Sequence, residues 1–476
     1  MVLAAASLLN SAGSFVLGIV LSALLGPSEF GRFAMVSLAA MTLAGALFDW
    51  LRFSSSRFSG ERNGQANTAA SLEAAYLGMI VVLFVGVGLL WLAGIDFGFG
   101  SALLWLTPML TVVLNRIDYS AALFRARSQD YALAAIVVVR QFGNFTIVVT
   151  VAYLTRSATL ALAASAVSNL LAVLALSAQA RVPGARLRLA ERSRMIGFIV
   201  YAKPIVASLF IYGLIALINR HIAFERLGAA ATGQLSLAFD LGQRLFQALY
   251  AIPELLLFQL ALRREREEGR AAAEAQIAVN IVLVLAVLVP VAVGYLIMAP
   301  TFEALVVPEA YRGKFVHVTW AFGPGMVTYC ALLAAINPVF QLAKRTWLIT
   351  LAAGTAIVAD LGMLVFADAG ASIEGLARAY SVSLCVACAV STSIAFRNPA
   401  VRPRLSDIAA IAGAAALMAI AVRPLNDLSS PVLAAGLSIV IGGAVFGSVM
   451  LACDVGGLRR GLSAKVRATH SRFVAS

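Results

Sequence analysis

Runs of eighteen or more apolar residues recur along the whole 476-residue chain, separated by short polar breaks. A helix of about that length crosses the ~30 Å hydrocarbon layer of a bilayer. Inside lipid a backbone must satisfy its own hydrogen bonds, so such runs are expected to be helical. Composition agrees. The chain is 61% hydrophobic and 12% charged, with a mean hydropathy of +0.91. A soluble domain carries roughly a quarter charged residues. No water-soluble core could hide this much apolar surface, so lipid must cover part of it.

Spans fall at roughly 2–25, 32–51, 70–94, 99–122, 131–154, 158–180, 196–218, 231–260, 276–299, 316–342, 347–367, 373–396, 406–423 and 431–453. The pattern predicts an all-α membrane protein with about fourteen transmembrane helices. The longest connections, near 181–195 and 300–315, leave no room for a soluble domain. The first run begins at Val2 with no basic segment before it, so it reads as the first span and not as a cleaved signal peptide.

Lys and Arg number 36 against 23 Asp and Glu, a formal charge of +13. In a membrane protein this excess belongs to cytoplasmic loops, so nucleic acid is not an expected partner. Counting on alternate sides of the spans puts 25 Lys and Arg on one side and 8 on the other. Three lie inside spans: Arg140, Lys203 and Arg244. The basic side is expected to be cytoplasmic, and both termini with it.

Residues Leu25–Gly31 read LGPSEFG, and Leu227–Gly233 read LGAAATG, at an offset of 202. Each has Leu-Gly and a second Gly five residues after the first. Six spans separate them, so the two halves run in the same direction. Two six-helix lobes are expected, at 1–195 and 196–397. Residues 398–476 would add helices 13 and 14 and a basic cytoplasmic tail.

Charge inside a span is expensive unless it meets a partner or a wet cavity, which makes such residues the best functional pointers. The eighth span holds Asp240, Gln243, Arg244, Gln247 and Glu254 within a third of its circumference. That stripe must face the bundle interior. Asp240 and Arg244, four apart, can pair. In the fifth span Arg140 and Asn144 share a face, and in the seventh Lys203 precedes Pro204, where the helix is expected to bend. Ser7, Asn10, Ser11, Ser14, Gly18 and Ser22 make a small polar face on the first span, suited either to close packing or to lining a cavity. Asp360 stands alone in the eleventh span, without an evident role. The cations at 140, 203 and 244 either form structural pairs or make a cavity that suits an anionic cargo, and Asp240 and Glu254 compensate them only in part.

No phosphate-binding GxxxxGK[ST] loop, HExxH, GxSxG or acidic metal cluster occurs. No catalytic residue, metal site or cofactor is expected, and the short loops oppose a membrane-embedded polysaccharide polymerase or ligase. The four cysteines are read as small buried hydrophobes.

Three segments resemble one family: LLGPSEFGRFAMVSLA at 24–39, LFRARSQDYALAAIVVVR at 123–140, and YAKPIVASLFIYGLIALINRHIAFERLGAAATGQLSLA at 201–238. They look like the polysaccharide-type (Wzx-like) flippases of the multidrug/oligosaccharidyl-lipid/polysaccharide exporter superfamily, the O-antigen and exopolysaccharide translocases. The resemblance implies a multi-pass protein of the bacterial inner membrane, not an enzyme. It would move an undecaprenyl-pyrophosphate-linked oligosaccharide, a lipopolysaccharide or exopolysaccharide precursor, to the periplasmic leaflet by alternating access. It also implies membrane lipid, an H+ or Na+ gradient, a glycan polymerase and a chain-length regulator as partners. A lipid-linked anionic oligosaccharide would meet Arg140, Asn144, Lys203, Gln243, Arg244 and Gln247, with Asp240 and Glu254 coupling the ion. The family often has a charged residue where this chain has Asn219, which puts an ion site there in doubt. A multidrug or metabolite cation antiporter of the same superfamily is the alternative reading.

The orientation has a direct check. A reporter active only in the cytoplasm, fused after Ser476, is expected to give signal; a periplasmic readout means that the span count is off by one.

Overall fold

The computed structural model describes residues 2–59, 65–95, 98, 100–457 and 459, and within them all side chains except those of 2–9, 56, 57 and 248–255. These residues are mostly helical, with no strand among them, and eleven stretches are long and apolar enough to cross a membrane. The first of these, Asn10–Ser55, has two arms that meet at Gly26, where the backbone leaves the helical region. The chain begins with α1 (Val2–Phe58), α2 (Gln65–Leu92), α3 (Ser101–Ala126), α4 (Asp130–Gly143), α5 (Val149–Thr155), α6 (Ala158–Ala175) and α7 (Arg192–Ile222). It continues with α8 (Ala229–Glu268), α9 (Arg270–Ile297), α10 (Ala299–Val306), α11 (Lys314–Ala331) and α12 (Asn337–Leu342). The last four are α13 (Trp347–Phe366), α14 (Ile373–Ala395), α15 (Leu405–Val422) and α16 (Pro431–Ala452). Helices α3 and α8 are as long as the spans but more polar, and stand outside the eleven. The expected loop near 300–315 is partly helical: Pro300, at the start of α10, is pre-set for a helix and needs no amide partner there.

Two compact units divide the chain. The first is Met1–Leu241 with Ile349–Tyr380. In it α1 packs along α3 and α7. Phe48, Leu51, Leu72, Tyr76, Leu104 and Tyr119 form the centre of one apolar cluster. Lipid is as apolar as these side chains, so association rests on close fit and on hydrogen bonds between helices. The Thr111 hydroxyl donates to the Ala40 carbonyl at 3.2 Å, and the Tyr76 hydroxyl to that of Val112 at 2.9 Å. The second unit is Gly242–Leu348 with Ser381–Ser476. Here Ile411, Ala414 and Met418 of α15 pack with Phe446 and Met450 of α16 and with Val282 of α9. Gly325 lets α11 touch α14: its N–H donates to the Ser381 hydroxyl at 2.7 Å, and a Cβ there would overlap the Ser381 backbone.

The repeated glycine turns meet within the first unit. Gly26 and Gly228 have nearly the same backbone conformation, φ 71°, ψ 170° and φ 87°, ψ 170°. Only glycine adopts it without strain. The second glycine of each turn faces the other turn. A Cβ on Gly31 would overlap the Ala229 carbonyl oxygen, and one on Gly233 would overlap that of Pro27. The two backbones therefore cross in direct contact. Around the first turn, Glu29 accepts from Arg32 and from the N–H of Ala158 at the start of α6, both at 2.8 Å, and Arg156 donates to the Leu24 carbonyl at 2.7 Å.

Replacing Gly31 or Gly233 by alanine should push the turns apart and destabilise the fold by about 1–3 kcal/mol, the usual range for overpacking. Gly354→Ala, where a Cβ meets nothing within 4 Å, should be nearly neutral. Thermal unfolding of the three variants in one detergent checks the contrast.

Candidate functional site

Helix α4 carries Arg140 to the polar face of α1. Its Nη2 donates to Asn10 Oδ1 at 2.7 Å, and its Nη1 lies 3.9 Å from Asp118 Oδ1 of α3. The next residue, Gln141, is buried and accepts from the Ser14 hydroxyl at 3.2 Å. A Cβ on Gly13 would clash with the Gln141 amide, so this face of α1 both packs closely and presents polar groups. Asn144 opens a five-residue π-helical turn, Asn144–Val148. Its amide exchanges hydrogen bonds at 3.1 and 3.5 Å with that of Asn169, which is fully buried on α6. Asn144 thus ties α4 to α6, while Arg140 holds a half-buried cation beside one carboxylate and one amide oxygen.

Lys203 is exposed on α7, with no carboxylate within 4.0 Å among the described residues. Pro204 stands inside the helix, and its carbonyl accepts the Thr350 hydroxyl of α13 at 2.9 Å. In the second unit Gln243 and Arg244 are half-buried and Gln247 is exposed on α8. The Glu254 side chain lies outside the described residues. Cys330 is buried, but Cys453 is exposed, contrary to its reading as a buried hydrophobe; it sits at the C-cap of α16. No group of three His, Cys, Asp or Glu able to hold a metal occurs among the described residues.

The most deeply buried charges lie elsewhere, at the end of α7. Arg220 donates to Asp240 of α8 at 2.6 Å, with the arginine side chain 4% and the aspartate 26% exposed. Asp240 has its ion pair there, where the sequence suggested Arg244. The Arg220 guanidinium also lies 5.9 Å from the Phe239 ring. One residue earlier, Asn219 donates from Nδ2 to both oxygens of Asp360 at 2.9 Å and to the Ile215 carbonyl at 2.9 Å. Asn219 and Asp360 are fully buried, and Asn219 Oδ1 has no donor among the described residues. A second π-helical turn, Ala223–Leu227, follows directly. π-Turns of this kind recur at functional sites. The solitary Asp360 therefore acquires a role: α7 and α13 meet through its carboxylate. In the sequence Asp240 and Asp360 stood out as charges inside spans, Asn219 only as a neutral departure from the resembled family, and Arg220 fell just beyond the expected seventh span. The sequence separation of 141 between Asn219 and Asp360 hid their contact.

No protein-family model matches the chain, and no curated protein matches it. Solved structures do. The lipid II flippase MurJ in an inward closed conformation matches at 10% identity and a TM-score of 0.72, over 95% of this chain and 98% of that one. An inward-facing multidrug resistance MATE family transporter of the MOP superfamily matches at 14% identity and a TM-score of 0.60, over 82% of this chain and 94% of that one. At such identities the likeness is one of fold. The chain has the multi-pass helical architecture that these flippases and transporters share.

Breaking one side of a buried ion pair leaves the other charge stranded, at about 3–5 kcal/mol. Arg220→Ala and Asp240→Ala should each destabilise the protein in that range, and the double variant by clearly less than the sum. A thermal-unfolding double-mutant cycle measures the coupling; additive losses would count against the pair.

Proposed function

We propose that this chain is a flippase of the bacterial inner membrane. Its cargo is an undecaprenyl-pyrophosphate-linked anionic oligosaccharide, a precursor of lipopolysaccharide or exopolysaccharide, carried to the periplasmic leaflet by alternating access. Arg140 is the observation that carries this reading. It is a half-buried guanidinium inside a helix of a flippase-like fold, compensated by an amide oxygen at 2.7 Å and a carboxylate 3.9 Å away. A cation so placed is suited to a diphosphate or an acidic sugar. Lys203, with no carboxylate within 4.0 Å among the described residues, is proposed to join it, with Asn144 supporting through α6, while Gln243, Arg244 and Gln247 on α8 are proposed separately as cargo contacts of the second unit. The fold likeness to a lipid II flippase over 95% of the chain favours a lipid-linked cargo.

For the coupling ion we propose Asp360 ahead of Asp240, because Asp240 is engaged by Arg220. Asp360 is a buried carboxylate held by a neutral amide, and a proton or Na+ there would neutralise it. Glu254 remains a second candidate from its place on the α8 stripe. The MATE-like fold and this buried carboxylate favour one other reading, a multidrug or metabolite cation antiporter. The two lobes at 1–195 and 196–397, a glycan polymerase and a chain-length regulator belong to the flippase proposal.

Arg140→Ala and Arg244→Ala should each abolish glycan export in cells while the protein stays in the membrane at wild-type level. Asp360→Asn should slow export and remove its dependence on the ion gradient. Normal export by both arginine variants sinks the flippase reading, and drug sensitivity of the same strains then tests the antiporter.

A further inference from the structure

A cavity of about 430 Å³ opens in the first unit between the start of α2, the end of α3 and the segment that follows α6. Its lining includes Glu73, Arg116, Leu123, Arg181, Val182 and Arg186. Arg116 is a fixed wall. It donates to both Glu73 oxygens at 3.0 and 2.8 Å and sits 5.1 and 5.3 Å from the rings of Tyr76 and Tyr119. Arg181 and Arg186 differ. Both are exposed, and neither has a carboxylate within 4.0 Å among the described residues. Among the described residues Glu73 is the one acid in the lining and is taken by Arg116, so two cationic side chains have no acid beside them there.

The segment bearing them is anchored. Arg127 Nη1 lies 3.4 Å from the carbonyls of Ala180 and Arg181. At its far end Glu191 accepts from Asn67 at 2.5 Å and from Arg194 at 2.6 Å, and its own N–H donates to the Ser71 hydroxyl at 2.9 Å. Those hydrogen bonds hold the Glu191 carboxyl below the usual carboxylate range, the Asn67 bond contributing most. The cavity thus has anchored walls, two guanidinium groups at its edge with no carboxylate within 4.0 Å among the described residues, and an apolar side formed by Leu123 and Val182.

We infer that this cavity binds the phosphate of a lipid headgroup. The arginines would take the phosphate by charge-assisted hydrogen bonds, and the apolar side would meet the first methylenes of the chains. Two lipids present this chemistry at the arginine-rich ends of the helices: an anionic phospholipid and a polyprenyl pyrophosphate. The inference stands apart from the transport reading, since a cation antiporter could hold such a lipid equally well.

The test is native mass spectrometry of the full chain in detergent, titrated with phosphatidylglycerol, with phosphatidylcholine of the same acyl chains, and with a polyprenyl pyrophosphate. An anionic lipid should bind at least about tenfold more tightly than phosphatidylcholine. The R181Q/R186Q variant should lose that preference. The R188Q/R192Q variant, which removes the same charge from the same segment outside the cavity, should keep it. Displacement of phosphatidylglycerol by the polyprenyl pyrophosphate supports the site and names the pyrophosphate lipid as its occupant; retention of phosphatidylglycerol supports the site and names the phospholipid. Equal binding of all three lipids, or equal loss in both double variants, overturns the inference. Export by the variants plays no part in the readout, so failure of the flippase reading leaves this result interpretable.

Discussion

Hydrocarbon cannot solvate a charge or an amide, and most of this fold can be traced to that constraint. Asp360 and Asn219 are fully buried and meet each other. Arg220, 4% exposed, meets Asp240. Asn144 and Asn169 share their amides, and Arg140 finds an amide oxygen on α1. Each of these contacts joins two helices, so polar groups that would be a burden in lipid become the links that fix which helix lies beside which.

Close approach is the other means of joining helices where apolar burial gains little. Gly31 and Gly233 bring two distant turns into backbone contact, and Gly325 does the same for α11 and α14. Turn and polar link sit near one another along α7 and α8. Arg220 lies one π-turn before Gly228, and Asp240 lies seven residues after Gly233. Under the proposed transport function, such joints would separate at the expense of a few specific contacts and leave the helices intact. The Arg220–Asp240 pair and the glycine crossing are the most direct candidates for such joints in the first unit.

Charge is distributed by depth. The pairs at the helix ends, such as Arg263 with Glu267 and Arg264 with Glu268, are exposed and screened by water, so they add little to stability. Those within the helices are less exposed, the Arg220–Asp240 pair most of all, and the same reasoning that makes them costly makes them informative. Arg181 and Arg186 fall in neither group, because they border a cavity and have no carboxylate within 4.0 Å among the described residues. That difference in surroundings separates them from the many other arginines of the chain.

Lipid exposure and helicity were legible in the sequence because apolar run length is a local property. The repeat at an offset of 202 was legible too, since the two Gly turns need the same unusual backbone. Helical periodicity put five polar residues on one stripe of α8; of these Gln247 is exposed, and the Glu254 side chain lies outside the described residues. The partners were not. Asp240 was read beside Arg244, four residues away, and the fold gave it Arg220, twenty residues away across a turn. Asp360 had no assignable role until α13 was brought against α7. Sequence determines what a residue can do and where along its helix it points, because those depend on side-chain chemistry and a 3.6-residue period. Which opposite charge or amide it meets depends on how helices pack, and that was decided by contacts between residues far apart in the chain.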